Sequence, residues 1–405
     1  MRLFWPVAVA ASVVLLYILR LNTAAGLYVD DAFYMVLAKA LAQGDGFALI
    51  SSAAQPILPA FPPGFPLLLT PVFAIHPQFP DNVLWLKAVS VLAMLGVGLA
   101  TYWYLARVYA APRLMAGSVA LITVVTPALV FLATSTVMAE CAFTLGLLAM
   151  ALVVERAVAP GSQSHLTIPL AAVLGAATLL IRSAGIAALV AAALYLVTKR
   201  GWRSAAGFAA VAALCYLPWA LYAQAHRPTA EARLAHGGTV AFSYADLLSM
   251  RSAGDTVSAR IGWSDVPARV GANLVNVFGR DVGAVIFPAA YRGSSESGQE
   301  AFALGGATGL QAGSMGAGEI TVAVSLAISV IAVIGFVAVL RRRLTVAEFL
   351  VPLTIGMVVL IPARTFRYVL PLTPFIVFYF LSGLQAVGDR LRRLTVSGSA
   401  PELRI

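Results

Sequence analysis

Residues 136–154 read TVMAECAFTLGLLAMALVV, a stretch with a single charged side chain, Glu140. Coiled as a helix, such a run is about 28 Å long, close to the ~30 Å hydrocarbon thickness of a bilayer. The pattern recurs along the chain. Similar runs cover 3–21, 83–106, 114–132, 166–181, 184–198, 204–223, 319–340, 346–362 and 368–387, which makes ten spans. Two long loops interrupt them, 22–82 and 224–318. The sequence therefore predicts an all-α polytopic membrane protein.

Composition points the same way. Of 405 residues, 60% are hydrophobic and 11% charged, against about 25% charged in a typical soluble domain. That balance excludes a soluble globular enzyme and a disordered chain. Two cysteines, Cys141 and Cys215, both inside apolar runs, exclude a disulfide scaffold. Outer-membrane barrels alternate polar and apolar residues over about 10 positions, and that alternation is absent. The net charge of +10 comes with no nucleic-acid motif and no basic helix carrying interleaved aromatics, so nucleic acid is not an expected partner.

The charge is better explained by topology. Lys and Arg in short loops stay in the cytoplasm. With the N-terminus inside, Arg2, Arg107, Arg113, Arg156, Lys199, Arg200, Arg203, Arg341, Arg342 and Arg343 all fall on the cytoplasmic side, as does the basic tail 388–405. This holds only if 166–198 crosses twice, as a short hairpin turning at Arg182-Ser183-Ala184-Gly185. The two long loops then lie outside. The first run is longer than the ~7–15 residues of a signal-peptide core and reads as an uncleaved anchor. The organisation predicted is a core over 1–223, an external loop over 224–318, C-terminal helices over 319–387 and the tail.

The external loop 22–82 is the most informative. It contains GLYVDDAFYMVLAKALAQGDG, residues 26–46. Phe33, Val36, Leu37, Ala40 and Leu41 recur at helical spacing, which predicts an amphipathic interfacial helix with Asp30 at or near its N-cap and Asp31 in its first turn. Gly44 and Gly46 stop it. Phe61-Pro62-Pro63-Gly64-Phe65-Pro66 follows, then an apolar run at 65–75 too short to span. Capping explains one aspartate well. Two carboxylates on a rigid element at the membrane face also suit chemistry. Glu140 is the sharpest anomaly, because a carboxylate at the centre of a span costs about 2.5–3.5 kcal/mol. It should face the same cavity as the aspartates or pair with an arginine such as Arg182. The histidines His76, His165, His226 and His236 show no metal-ligand spacing.

Taken in order, these features resemble the GT-C glycosyltransferases, more narrowly the protein O-mannosyltransferase and aminoarabinose transferase group with its RgtA/B/C/D-like bacterial members. The resemblance rests on the Asp30-Asp31 pair, Tyr34 and Ala38 in the following helix, the Gly44–Gly46 stop, the Pro62-Pro63-x-x-Pro66 run, Thr101 to Arg107, Glu140, Arg182-x-x-Gly185 and Arg367-Tyr368-x-x-Pro371-x-x-Pro374. It covers about 1–225 and 320–387. The loop 224–318 takes no part in it.

The resemblance implies a GT-C-like bundle in a bacterial inner membrane. It implies a polyprenyl-phosphate sugar as donor and a hydroxyl of a lipid, glycan or protein as acceptor. The sugar would be transferred with inversion at the outer face. Asp30 corresponds to the family's catalytic base, with Asp31 orienting it, holding the acceptor or binding a metal. Asp31 stands where many relatives have Glu. Adjacent carboxylates raise one another's pKa, which suits a base. Arg182, Arg364, Arg367 and Tyr368 are the expected donor-phosphate binders, and Glu140, Tyr34 and Pro63 the expected acceptor or cavity residues. No cofactor is required, although Asp30 and Asp31 could hold a divalent ion. In the loop 224–318, residues 266–287 predict an amphipathic surface helix and 304–318 a glycine-rich segment, together a lid over the cavity. The rival reading is a transporter or flippase of lipid-linked or small polar substrates.

Overall fold

The computed structural model describes residues 4–53, 55–58, 61–227, 248–250, 261–288, 317–362 and 366–397. The chain is a helical multi-pass membrane protein. Among the described residues, seven helices are long and apolar enough to cross a bilayer, or eight if one bent pair is counted as a span. In chain order the helices are α1 (Phe4–Arg20), α2 (Val29–Gln43), α3 (Gly64–Ile75), α4 (Val83–Arg107), α5 (Arg113–Val125), α6 (Pro127–Ser135), α7 (Glu140–Val158), α8 (Ser164–Ile181), α9 (Ile186–Arg200), α10 (Trp202–Ala225), α11 (Val266–Asn276), α12 (Val282–Ile286), α13 (Ala317–Arg342), α14 (Ala347–Val358), α15 (Phe366–Val369) and α16 (Thr373–Ser397). Large aliphatic side chains such as Leu92, Leu214 and Val330 point outward. On a bundle in lipid these are covered by acyl chains.

Each of the ten runs read as spans contains a helix, but three are shorter or broken. Helices α1 and α14 are short apolar helices, and the run 114–132 is split at Thr126-Pro127 into α5 and α6, bent by 49°. Proline has no N–H to continue the ladder. The break withdraws the helical donors from the last carbonyls of α5, and Tyr17 on α1 donates its hydroxyl to one of them, Val124 O, at 2.7 Å. The run 166–198 is two helices, divided by a 3₁₀ turn at Ser183–Gly185.

The bundle has two polar ends. Helix α7 carries Glu140 at one end and Glu155 near the other, about 22 Å apart along the helix axis. Helix direction places Arg107, Arg113, Arg156, Arg200 and Arg342 at the Glu155 end. There, two carboxylates tie four helices, α7, α9, α14 and α16, to the turn between α4 and α5. Glu348 accepts from the Tyr109 hydroxyl at 2.6 Å, the Tyr379 hydroxyl at 2.8 Å and both the amide and hydroxyl of Thr345 at 2.7 Å. Glu155 accepts from the Tyr195 hydroxyl at 2.8 Å and the Val346 amide at 2.7 Å. Every oxygen is satisfied, the condition under which buried polar groups stabilise and specify a packing. Between the ends, α13 and α16 approach closely at Gly335 and Gly383. A Cβ on Gly335 would collide with the Tyr379 carbonyl, and one on Gly383 with the Ile331 carbonyl. Small residues of this kind let membrane helices cross backbone to backbone.

The loop 224–318 departs from expectation where it is described. Residues 266–286 are helical, with a π-turn over Val277–Asp281 between α11 and α12. The second half is not a surface helix. Val277, Asp281 and Val285 are buried, and α13 presents Ser325 and Ser329, whose hydroxyls donate to Arg280 O and Phe278 O at 3.0 and 2.6 Å. The π-turn frees those carbonyls from the regular ladder. Asn273 on α11 donates to Val359 O and Ile361 O at the end of α14, at 2.9 and 3.0 Å. The segment is thus docked on the bundle. The glycine-rich stretch up to residue 316 lies outside the described residues.

Candidate functional site

The first external helix brings its two aspartates to different partners. Helix α2 begins at Val29 with Tyr28 as N-cap, so Asp30 and Asp31 both lie in its first turn and Asp30 is not the cap. Asp31 turns back on the chain before the helix. Its Oδ1 accepts from the Tyr28 amide at 3.2 Å and its Oδ2 from the Gly26 amide at 3.1 Å. This is the return half of a capping box, made by an acidic residue at the third helical position. Asp31 is fully buried. Burial pushes its carboxyl above the usual range, against backbone N–H donors that pull it down. Its setting is structural.

Asp30 points the other way. Its Oδ2 accepts from Arg367 Nη2 at 2.7 Å, and its side chain stays 34% exposed. The pair therefore does not act as two carboxylates crowding one another.

Arg367 joins three parts of the chain. Besides Asp30 it reaches Glu140, with Nε donating to Oε1 at 3.0 Å. Glu140 is fully buried at the start of α7 and also forms an ion pair with Arg182 Nη1. The run is Asp30–Arg367–Glu140–Arg182, two carboxylates and two guanidiniums. Aromatic faces complete it: the Arg367 guanidinium lies 5.0 Å from the Tyr28 ring centre and that of Arg182 lies 5.3 Å from the Tyr368 ring centre. Such alternation lets each charge offset the desolvation of its neighbour.

Local sequence explains each position. Arg182 ends α8 in an extended conformation, where the 3₁₀ turn Ser183–Gly185 starts. Arg367 lies in the one-turn helix α15, continued by a 3₁₀ turn that holds Pro371. Gly64 stands at the start of α3 against the end of α8. A Cβ there would lie 2.6 Å from the Leu180 carbonyl carbon. The proline-rich run thus rests on the backbone just before Arg182.

The other sequence-derived residues take varied positions. Arg182 is only 6% exposed and sits behind Glu140. Tyr368 is half-buried beneath it. Tyr34 is buried between Phe61 and Phe65, both edge-on with ring centres 5.2 and 5.0 Å away. Its ring is part of the hydrophobic core at the start of α2 and α3. Pro63 is the N-cap of α3. Arg364 lies outside the described residues. Among the described residues no group of three or more His, Cys, Asp or Glu is placed to hold a metal.

One participant was not anticipated. Lys87 on α4 is fully buried, and its Nζ donates to Asn22 O at 2.6 Å and Asn22 Oδ1 at 3.0 Å. Asn22 in turn donates to Ser135 Oγ at 2.8 Å. Lys87 thereby ties the segment between α1 and α2 to α4 and α6. A lysine four residues inside a long apolar run is the signal that could have revealed it.

No protein-family model matches the chain, and no curated protein or solved structure matches it either.

Proposed function

We propose that this chain is a membrane glycosyltransferase. It would move a sugar from a polyprenyl phosphate to an acceptor hydroxyl, with Asp30 as base. The observation that carries the reading is the convergence of Asp30, Glu140, Arg182 and Arg367. They come from four segments far apart in sequence, and Asp30 remains the reachable end of the array.

The chemistry follows from the partners. Arg367 holds a carboxylate by a single Nη2 contact and can turn its fork to a phosphate. A donor phosphate that competes for Arg367 frees Asp30. The carboxylate then takes the proton of the acceptor hydroxyl while that oxygen bonds to the anomeric carbon. The bond from carbon to phosphate oxygen breaks, and polyprenyl phosphate leaves with the electron pair, its charge held by Arg367. Attack opposite the leaving group inverts the centre. Glu140 and Arg182 touch neither substrate in this scheme and act as positioning residues for Arg367. In this proposal the site faces the periplasm of a bacterial inner membrane with both termini in the cytoplasm, a sidedness that the gathering of Lys and Arg at the opposite end supports.

The test uses purified protein in nanodiscs with a panel of polyprenyl-phosphate sugars, donor loss being followed by mass spectrometry. Wild type is expected to consume at least one donor. Asp30→Asn, with an unchanged melting temperature, is expected to lose about 10²-fold or more of the rate. Absence of turnover with every donor, or full activity in Asp30→Asn, overturns the proposal and favours a transporter.

A further inference from the structure

The end of the bundle opposite Asp30 holds a cavity of about 250 Å³. We infer that it is a binding site for the headgroup of an anionic phospholipid.

Its walls are the turn between α4 and α5, the last turn of α13 and the middle of α16. Arg342 and Arg343 stand at its lip, both exposed. Among the described residues neither is seen in an ion pair with a carboxylate. Asp389 is the acidic residue among those lining it, and Glu155 lies near enough to act on Arg343, so the positive charge at the lip rests chiefly on Arg342 and favours an anion. Ser382 and Gln385 add hydrogen-bonding groups suited to phosphate-ester or glycerol oxygens.

Three features select a lipid. The volume is below the ~300–1,000 Å³ of pockets that enclose drug-sized ligands, which fits a headgroup whose tail remains outside. Phe378 and Met115 supply an apolar wall for the first carbons of that tail. The arginines end a membrane-spanning helix, which is the level of the lipid phosphates. Basic pockets between helices on the cytoplasmic side are a recurring form of anionic-lipid site. The turn that closes the cavity is also unusual, because Ala110 adopts a left-handed φ of 51° without being glycine. Its neighbour Tyr109 both lines the cavity and donates to Glu348, so an occupant would bear on the polar cluster that joins the helices at this end.

The test is thermal unfolding of the full chain in detergent with added phosphatidylglycerol or phosphatidylcholine of equal acyl chains, and with soluble glycerol phosphate. A bound lipid raises the melting temperature. Phosphatidylglycerol is expected to raise it by several degrees over phosphatidylcholine, and glycerol phosphate to leave it unchanged. The double variant Arg342→Gln/Arg343→Gln should lose most of that difference. So should Ala386→Trp, which fills the cavity and keeps every charge. The tail variant Arg392→Gln/Arg393→Gln, with the same charge loss elsewhere, should keep it. Equal effects of the two lipids, equal loss in the tail variant, or full stabilisation by glycerol phosphate would overturn the inference. The arginine variant alters exposed side chains only, and it decides the matter even if Ala386→Trp does not fold.

Discussion

Glu140 illustrates how one carboxylate can be costly alone and useful in company. Buried among apolar residues it would be uncompensated, yet Arg182 and Arg367 both face its Oε1. Glu140→Gln leaves two arginines without their shared counter-charge. Breaking a buried pair from one side costs about 3–5 kcal/mol, so this variant should melt well below wild type in a detergent thermal scan. Asp31 yields a contrasting expectation. Asp31→Ala strands the buried Tyr28 amide, at about 1–3 kcal/mol for an unsatisfied buried group, and leaves the exposed Gly26 amide to solvent. It should lower the melting temperature, whereas Asp30→Asn should alter turnover alone. Both aspartates were visible in the sequence, but adjacency could not say which one caps and which one faces the site. That depends on the backbone before α2, where two amides point at Asp31. Lys87 escaped notice because its hydrogen-bond partners are the carbonyl and side-chain oxygens of Asn22 and the carboxylate that acts on it, Asp31, lies 56 residues away in sequence.

At the scale of elements, periodicity gave helix α2 and only part of the face it buries, since Leu37 and Ala40 are buried as predicted. Tyr34, Leu37 and Ala38 are buried, whereas Phe33 and Val36 are only half-buried. The difference is one residue of phase, fixed by packing on α3, which hydropathy cannot see. The break in the third run was legible at Pro127, yet a proline inside a membrane helix can also be absorbed as a kink. Here Tyr17 takes over an orphaned carbonyl and makes the break stable. The contact of α3 on α8 yields another prediction. Gly64→Ala puts a methyl against the rigid Leu180–Ile181 backbone. Overpacking of this sort costs about 1–3 kcal/mol and should displace the turn that carries Arg182. A lowered melting temperature together with reduced donor turnover is the expected pair of readouts. A loss of stability alone would separate the turn from the site.

For the whole molecule, the arrangement of charge makes sidedness testable. Basic residues gather at the Glu155 end and the Asp30 array at the other. In a Cys215→Ala background, with Cys141 buried, a membrane-impermeant maleimide should label Asp45→Cys on intact spheroplasts. It should label Ser162→Cys only after permeabilisation. The reverse pattern would invert the topology. The repeated membrane-crossing character of the chain was open to reading because bilayer thickness imposes a length on each apolar run, whereas ten runs were read as spans and seven or eight helices among the described residues are long enough to be one. Their association was not, because contacts such as Glu155 with Val346 join residues far apart in the chain.

The placement of Arg367 bears on how the protein is made. Glu140 and Arg182 lie within the first half of the chain and can pair as soon as α7 and α8 are inserted. Asp30 must wait for the one-turn helix α15 before it meets its guanidinium. Roughly 180 residues separate Arg182 from Arg367, on the order of 10–40 s of synthesis at about 5–20 residues per second. During that interval a ribosome-bound chain already spans the bilayer with its site unassembled. A product truncated before residue 366 would be inserted and inert, because the array is completed only once α15 has been made.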